Sequence, residues 1–586
     1  MADWLTSPGC GKRQQTLAVL AIFVGVAFWS TWPLARQPLQ TLPLGASPGP
    51  TVPMFNLWTI WWNSDWCFGD QHRESLSYWN APVFYPTPSA FAFSEPQPTT
   101  IAVAPVIWLT GSRTLAYNIY LWLGLVLNGV LTWKLLRFLG IQKVIAAGGG
   151  VAMILLPIVH WQRDVLQTVP VWGILWTWLA LVKLGRDPTV KRGLESGTAF
   201  AVSFLMCGHH GLFLAVLLAG TAWLLLRYRD QRRTWRSLLT VVTVVTVAGI
   251  ITAPFVIPLK NAARDNGFER RQETVDRLSA RPLDYSRTHA WQLIDPQLTA
   301  NTGGMGLSPG TMKIVLAVLG TGFGLRRRRW RRWTGFLVMT ALLACLLSQG
   351  TQLEIAGWKP WNSLVETVPG FSQVRSAFRF GWFVQMAVVL LAAQGLHWLL
   401  VLARRTRAAQ PGRRLVPRGL TGVAVLLGLT AIFETVPQRV LLAEVPDMAR
   451  HADWMRFVQT ETPAGKAILC LPMAATSRVA DFSVTTRWMF FQTTHRVPLV
   501  NGYSGFFPAD YFRLRNKVRD RLPDEDVLAE LTQQNVELIV VDRFRFPSER
   551  FDVSLDEIAS LERVFEDRVA NVDIYRLRAG PDRATP

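Results

Sequence analysis

The sequence predicts a polytopic α-helical membrane protein of about eleven transmembrane helices followed by a small α/β soluble domain. Three observations predict it. Half of the 586 residues are hydrophobic, with 26 Trp and 31 Phe, totals that suit a multispan membrane protein better than one soluble domain. Lysines and arginines fall in every second gap between apolar stretches, and basic residues near span ends stay on the cytoplasmic side. The net charge of +21 is unevenly placed: from Val436 to the end there are 20 Lys and Arg against 22 Asp and Glu. The basic excess therefore belongs to the membrane part, where it meets anionic lipid headgroups. No groove-reading motif accompanies it, so membrane lipids and not nucleic acid are the expected partner.

The first apolar run, Leu17 to Leu34, follows Lys12 and Arg13 and precedes no small-residue cleavage site. It reads as a retained anchor with a cytoplasmic N-terminus. Further spans begin near Leu115, Val144, Val165, Leu194, Gly211, Ser237, Thr311, Trp333, Gly381 and Gly419. The basic clusters between them are Lys134/Arg137/Lys143, Lys183/Arg186/Lys191/Arg192, Arg227 to Arg236, Arg326 to Arg332 and Arg404 to Arg418. An odd count puts the C-terminus outside. The apolar piece Thr99 to Leu109 is too short to span and reads as re-entrant or interfacial. Gly208-His209-His210-Gly211 breaks what would otherwise be one long helix.

Residues 1–435 thus form a transmembrane domain with long external loops at 36–98, 260–310 and 349–380. The first loop is dense in Trp, Pro and Tyr, which favour the membrane–water boundary. Residues 436–586 form the extracytoplasmic α/β domain. "KAILCLP" and "VELIVVD" are β-branched runs of strand length. "PADYFRLRNKVRD" and "DEDVLAELTQQ" have helical spacing, with Asp524 as the N-cap of the second. "ERVFEDRVANVDIYRL" reads as two strands around a turn at Ala570-Asn571. No Gly-rich phosphate loop occurs in the tail. The five cysteines show no CxxC or metal-ligand spacing, so unpaired thiols and no metal centre are expected.

Several stretches resemble the glycosyltransferase family C fold of bacteria, multispan enzymes that use polyprenyl-phosphate sugars on the outer face of the inner membrane. "FNLWTIWWN" with "APVFYPTPSAFAFSEPQP" is similar to that family's first external loop. "AYNIYLWLGLVLNGVLTWKLLRFLG" resembles its next span, and "VPGFSQVRSAFRFGWFVQMAVVLLAAQGL" a late loop and span. "HRVPLVNGYSGFFPADYFRL" with "LAELTQQNVELIVVD" looks like an outer C-terminal domain of such proteins. The resemblance implies hexosyl or pentosyl transfer from a polyprenyl-phosphate donor to an envelope glycan or glycolipid acceptor, in a bacterial inner (plasma) membrane. A divalent cation is compatible with that chemistry, although no ligand set is legible.

Transfer of this kind needs a carboxylate to deprotonate the acceptor hydroxyl and cationic groups to receive the departing phosphate. The family keeps an acid early in the first loop, but here "GPTVPMFNLW" places Thr51 and Pro53 there. The candidate bases are then Glu95, next to an apolar segment, and Asp65, among Trp58, Trp61, Trp62 and Trp66. Asp70 and Glu74 lie in a polar turn and read as solvated. Arg375 and Arg379 are four apart and on a helix would share a face suited to phosphate oxygens. His209 at the helix break and Tyr503 in "NGYSGFFP" complete the substrate-binding candidates. Their plainer roles are a hydrogen-bonded break and packing. Asp164 beside Arg163 reads equally as an ion pair. The rival to a transferase is a non-catalytic membrane scaffold or glycolipid-binding protein on a transferase-like fold, which the missing early acid favours. A secondary transporter fits less well, because the two halves show no internal repeat.

Overall fold

A computed structural model describes residues 12–47, 49–69, 77–226, 231–286, 305–409, 415–546, 555 and 558–578. Asp70, Glu74, Cys10, Arg227, Arg229, Arg413 and Arg414 fall outside the described residues. The chain divides into two compact units. The first comprises Met1–Arg36, Tyr120–Pro254 and Glu269–Val440; the second comprises Gln37–Ile119, Phe255–Phe268 and Leu441–Pro586. The second unit thus joins the tail to the first long loop, which the sequence reading placed with the transmembrane part.

The helices in chain order begin with α1 (Lys12–Ser30), α2 (Thr51–Phe68), α3 (Ala104–Thr110) and α4 (Arg113–Phe138). Next come α5 (Lys143–Ile154), α6 (Pro157–Trp161), α7 (Trp172–Arg186), α8 (Val190–Met206), α9 (Gly208–Thr221) and α10 (Gln231–Asp265). After α11 (Gln272–Arg277) follow α12 (Thr311–Arg326), α13 (Arg331–Leu347), α14 (Pro360–Thr367), α15 (Gly381–Ala409) and α16 (Leu415–Phe433). Each of the eleven expected stretches is helical. Among the described residues, five segments are long and apolar enough to cross a membrane: Arg113–Phe138, Lys143–Trp161, Leu166–Arg186, Leu238–Asp265 and Ala377–Thr406. Helices α8, α12 and α13, with 17, 16 and 17 residues, fall short of the roughly 20 that a straight crossing needs. The chain is a multi-pass membrane protein by these segments, and the count of eleven is not reached by length and composition. The piece from Pro98 to Thr110 is a short apolar helix, a 3-10 turn leading into α3.

In the first unit, small residues set the helix contacts. A Cβ on Gly320 of α12 would overlap the Leu391 carbonyl oxygen of α15, and one on Gly395 would overlap that of Leu316. The two backbones therefore touch, and Gln394 Nε2 donates to the Gly320 carbonyl at 2.8 Å and to Thr334 Oγ1 at 2.9 Å. Close backbone approach through glycine is how helices associate where lipid supplies no hydrophobic drive. Gly395→Val is expected to cost about 1–3 kcal/mol by overpacking and to lower the melting temperature of detergent-purified protein. The expected break is also present: Cys207 is extended between α8 and α9, and a Cβ on Gly211 would run into Phe204.

In the second unit, β1 (Thr41–Pro43) pairs antiparallel with β2 (Leu442–Glu444). The tail continues with α17 (Ala452–Glu461), β3 (Ala467–Leu471), α18 (Ser483–His495), α19 (Tyr511–Arg521), α20 (Glu525–Gln533), β4 (Val536–Asp542), β5 (Leu561–Asp567) and β6 (Val572–Leu577). The strand order is β3-β4-β6-β5, with β3 and β4 parallel and the other pairs antiparallel. A parallel neighbour for β4 requires a crossover, and the helices between β3 and β4 supply it. Strand β3 is buried along its whole length. The β5–β6 turn places Asn571 at φ 55°, a conformation that asparagine tolerates better than most residues. Asp524 does occupy the N-cap position of α20, but its side chain makes no capping bond. It accepts from Arg521 Nε at 3.1 Å instead, because a guanidinium one turn back offers a charged donor.

His495, at the end of α18, is buried, and its Nδ1 accepts from the Val497 amide at 3.1 Å. Burial pushes its pKa down from 6.5 to about 3. The unfolded chain therefore binds the proton that the folded one refuses, so this contribution is full above pH 6.5 and is lost as pH falls toward 3. Melting temperature should drop over that range, and more steeply in the wild type than in His495→Gln.

Candidate active site

Helix α2 carries the first loop's aromatics, and it is buried on nearly every face from Thr51 to Asp65. A helix apolar all round needs neighbours all round, and within this unit it packs against α18. Of its four indoles, Trp58 Nε1 donates to Gln492 Oε1 at 2.9 Å and Trp62 Nε1 to the Tyr78 carbonyl at 3.0 Å, both within this unit. Asn63 Nδ2 donates to the carbonyls of Pro96 and Gln97 and to Thr100 Oγ1, and Gln97 Nε2 donates to Asn56 Oδ1 at 2.8 Å. These bonds fix the end of the loop onto α2.

Asp65 lies near the C-terminal end of this helix, on a cavity of about 350 Å³. Arg496 Nη2 donates to its Oδ1 at 2.7 Å; the carboxylate side chain is 7% exposed and the arginine 30%. Arg113, the first residue of α4, lines the same cavity and donates from Nη2 to the Thr493 carbonyl at 2.7 Å. Trp61, Phe68, Ile107 and Trp108 form the apolar walls, with the Phe68 and Trp108 rings edge to face at 4.4 Å. Gly69 matters here: a Cβ would sit 2.9 Å from Asp65 Oδ1, so glycine keeps that side of the carboxylate open. Two guanidiniums against one carboxylate leave the cavity with excess positive charge, a setting for an anionic group.

Both arginines escape a reading of the sequence. Arg113 looks like a charge at a span end. Arg496 is one of many in the tail, and the turn that aims it, with φ 62° after α18, has no glycine to announce it. The expected acids part company. Asp65 is brought to the two arginines, whereas Glu95 is half-buried between the 3-10 turns Ala90–Phe93 and Pro98–Val103 and is not among the residues lining the cavity. Gln97 holds the N-cap position of the second turn. Thr51, where the resemblance led to the expectation of an early acid, is fully buried and donates to the Val479 carbonyl at 2.8 Å. About 14 residues of helix separate it from Asp65, roughly 21 Å along the axis.

The remaining candidates fall elsewhere. Arg375 precedes the 3-10 turn Ala377–Phe380 that carries Arg379, so no shared helical face joins them. Within the first unit Arg379 is buried, its Nη1 lies 3.4 Å from His209 Nε2, and its guanidinium sits 5.8 Å from the Trp382 ring centre. Tyr503 is buried among Phe55, Phe482 and Phe507, with ring centres 5.4, 5.3 and 6.1 Å away. Asp164 is fully buried.

Among curated proteins none matches the sequence. Solved structures do match. A cryo-electron microscopy structure of arabinofuranosyltransferase AftD from Mycobacteria aligns over 98% of this chain at 15% identity with a TM-score of 0.55. A mutant form of the same protein aligns over 98% at 16% identity with a TM-score of 0.56. The chain spans only 40% and 42% of those proteins' length. At this identity the likeness is one of fold, and it is to a protein of the glycosyltransferase family C type that the first loop and late span resemble. A family model described as "Domain of unknown function (DUF6311)" matches residues 77–432, more than half of the sequence, and the chain belongs to that family.

Proposed function

We propose that this chain is an integral membrane glycosyltransferase that moves a hexosyl or pentosyl unit from a polyprenyl-phosphate carrier to an envelope glycan or glycolipid. The reaction would run on the outer face of a bacterial inner membrane, with the N-terminus cytoplasmic and the tail outside. The observation that carries this reading is the cavity in which the Asp65 carboxylate meets the guanidiniums of Arg496 and Arg113. Asp65 takes the proton of the acceptor hydroxyl as that oxygen attacks the anomeric carbon. The bond from that carbon to the phosphate oxygen breaks, and polyprenyl phosphate leaves with the electron pair. Arg496 and Arg113 then hold its charge, since guanidiniums match phosphate oxygens by geometry.

A divalent cation finds poor support there. Asp65 is the sole carboxylate among the residues lining the cavity, and an arginine already occupies it. Such ions take several oxygen ligands, so charge neutralisation falls to the arginines.

The test is sugar transfer by lipid-reconstituted protein from a panel of labelled polyprenyl-phosphate sugars to envelope acceptors. Transfer that requires Asp65 supports the reading. Lipid-glycan binding without transfer from any donor would support the scaffold alternative, which the bonded and uncharged Thr51 favours.

A further inference from the structure

The carboxyl end of β4 carries a second polar cluster, made of residues that do not line the Asp65 cavity. Trp454 Nε1 donates to His451 Nδ1 at 3.0 Å. An indole nitrogen can only donate, so Nδ1 holds a lone pair and the proton of the neutral ring sits on Nε2. That Nε2 lies 3.3 Å from Arg487 Nη2. A guanidinium also only donates, so the contact sets one N–H against another.

Both donors are held in place. The His451 ring lies 4.4 Å from the Phe491 ring, and the Arg487 guanidinium 5.3 Å from the same ring. His451 is kept neutral: burial, then Arg487, push its pKa down to about 4. Arg450 acts in the same direction, against Asp567 and Asp542. Among the described residues Arg487 joins no ion pair, and its Nε has no hydrogen-bond partner.

The nearby acids are already engaged. Asp542 accepts from the amides of Phe544 and Arg545 and from Arg545 Nη1 at 2.8 Å. Asp567 accepts from the Ala570 amide at 2.9 Å. Among the described residues, what remains is a pair of converging donors with no acceptor between them and Arg450 nearby. Both donors interact electrostatically with Asp542, the last residue of β4, which pairs parallel with β3, and open α/β sheets bind their ligands at such strand ends.

We propose that His451 and Arg487 bind a phosphate-type oxyanion, one oxygen of which accepts from both His451 Nε2–H and the Arg487 guanidinium. The site is independent of Asp65 and of whether the chain transfers sugar. Selective ¹⁵N labelling of the eight histidines of the full chain in lipid nanodiscs tests it. The His451 signal is identified by its loss in His451→Gln, and inorganic phosphate is titrated at constant ionic strength.

A saturable shift of the His451 resonance is expected, weakened about tenfold or more in Arg487→Gln and less in Arg487→Lys. Arg496→Gln should leave the shift unchanged, which separates this site from the Asp65 cavity. A resonance that never moves, or that moves equally in Arg487→Gln of unchanged melting temperature, would overturn the proposal. Should Arg487→Gln fail to fold, Arg487→Lys must still weaken binding for the proposal to stand. Nanodiscs of phosphatidylglycerol and of phosphatidylcholine distinguish the source. A shift present in the first without added phosphate identifies a lipid headgroup, and one that needs added phosphate identifies a soluble ligand.

Discussion

Asp65→Asn is expected to lower sugar transfer by a factor on the order of 10²–10⁴, the usual worth of a positioned general base. The loss should fall on kcat, because the substituted amide keeps the shape of the site and removes only its basicity. Stability separates this from a structural effect. Asp65→Asn leaves Arg496 without its anion, but that arginine is 30% exposed and water can serve it. Arg496→Gln leaves a carboxylate that is 7% exposed without its cation, so it should destabilise more than Asp65→Asn does. The double variant should regain melting temperature and not activity. Transfer by Asp65→Asn within about threefold of wild type would remove Asp65 as the base, since so small a change lies below the range for general-base loss; Glu95→Gln would then be the next variant to assay.

The largest stability effect is expected at Lys313. Its side chain is 2% exposed and lies 3.4 Å from Glu434, itself 6% exposed. Lys313 Nζ also donates to Thr435 Oγ1 at 2.8 Å. Glu434 does more than pair: its two oxygens accept from the amides of Met312 and Lys313, and so supply the N-terminal cap of α12. Gly310 makes room for it, being at φ 101° where a Cβ would overlap the Glu434 carboxylate.

Lys313→Met leaves that buried carboxylate with backbone donors alone and should cost about 3–5 kcal/mol. Lys313→Met with Glu434→Gln removes both charges and should recover much of the loss. Thermal melting of the purified protein in one detergent measures both variants against the wild type. An unchanged melting temperature in Lys313→Met would show that the ion pair contributes nothing net.

Local features of the sequence carried far in the tail, where the strand runs, the two helices and the Ala570-Asn571 turn are written in residue type and spacing. They carried less far at Asp524, because a cap residue chooses between the backbone and any charged donor within reach, and Arg521 lies within reach. Apolar runs likewise placed a helix at each expected span. Whether a 16- or 17-residue helix crosses a bilayer depends on tilt and neighbours, which no run length contains.

The candidate site shows the same division. A carboxylate among tryptophans drew notice to Asp65 from the sequence alone, as did the absent acid at Thr51. What the sequence could not show is that Arg496, separated from Asp65 by 431 positions, closes on it. Nor could it show that Arg113 lines the same cavity or that Glu95 does not. Composition and periodicity are sums over neighbours in the chain, and they determined the membrane class and the order of the elements. The pairing of charges depends on the packing of α2 against α18 and on one residue in a left-handed turn. A contact across 431 positions leaves no local pattern, so only the tertiary structure decided which carboxylate and which arginines meet in one cavity.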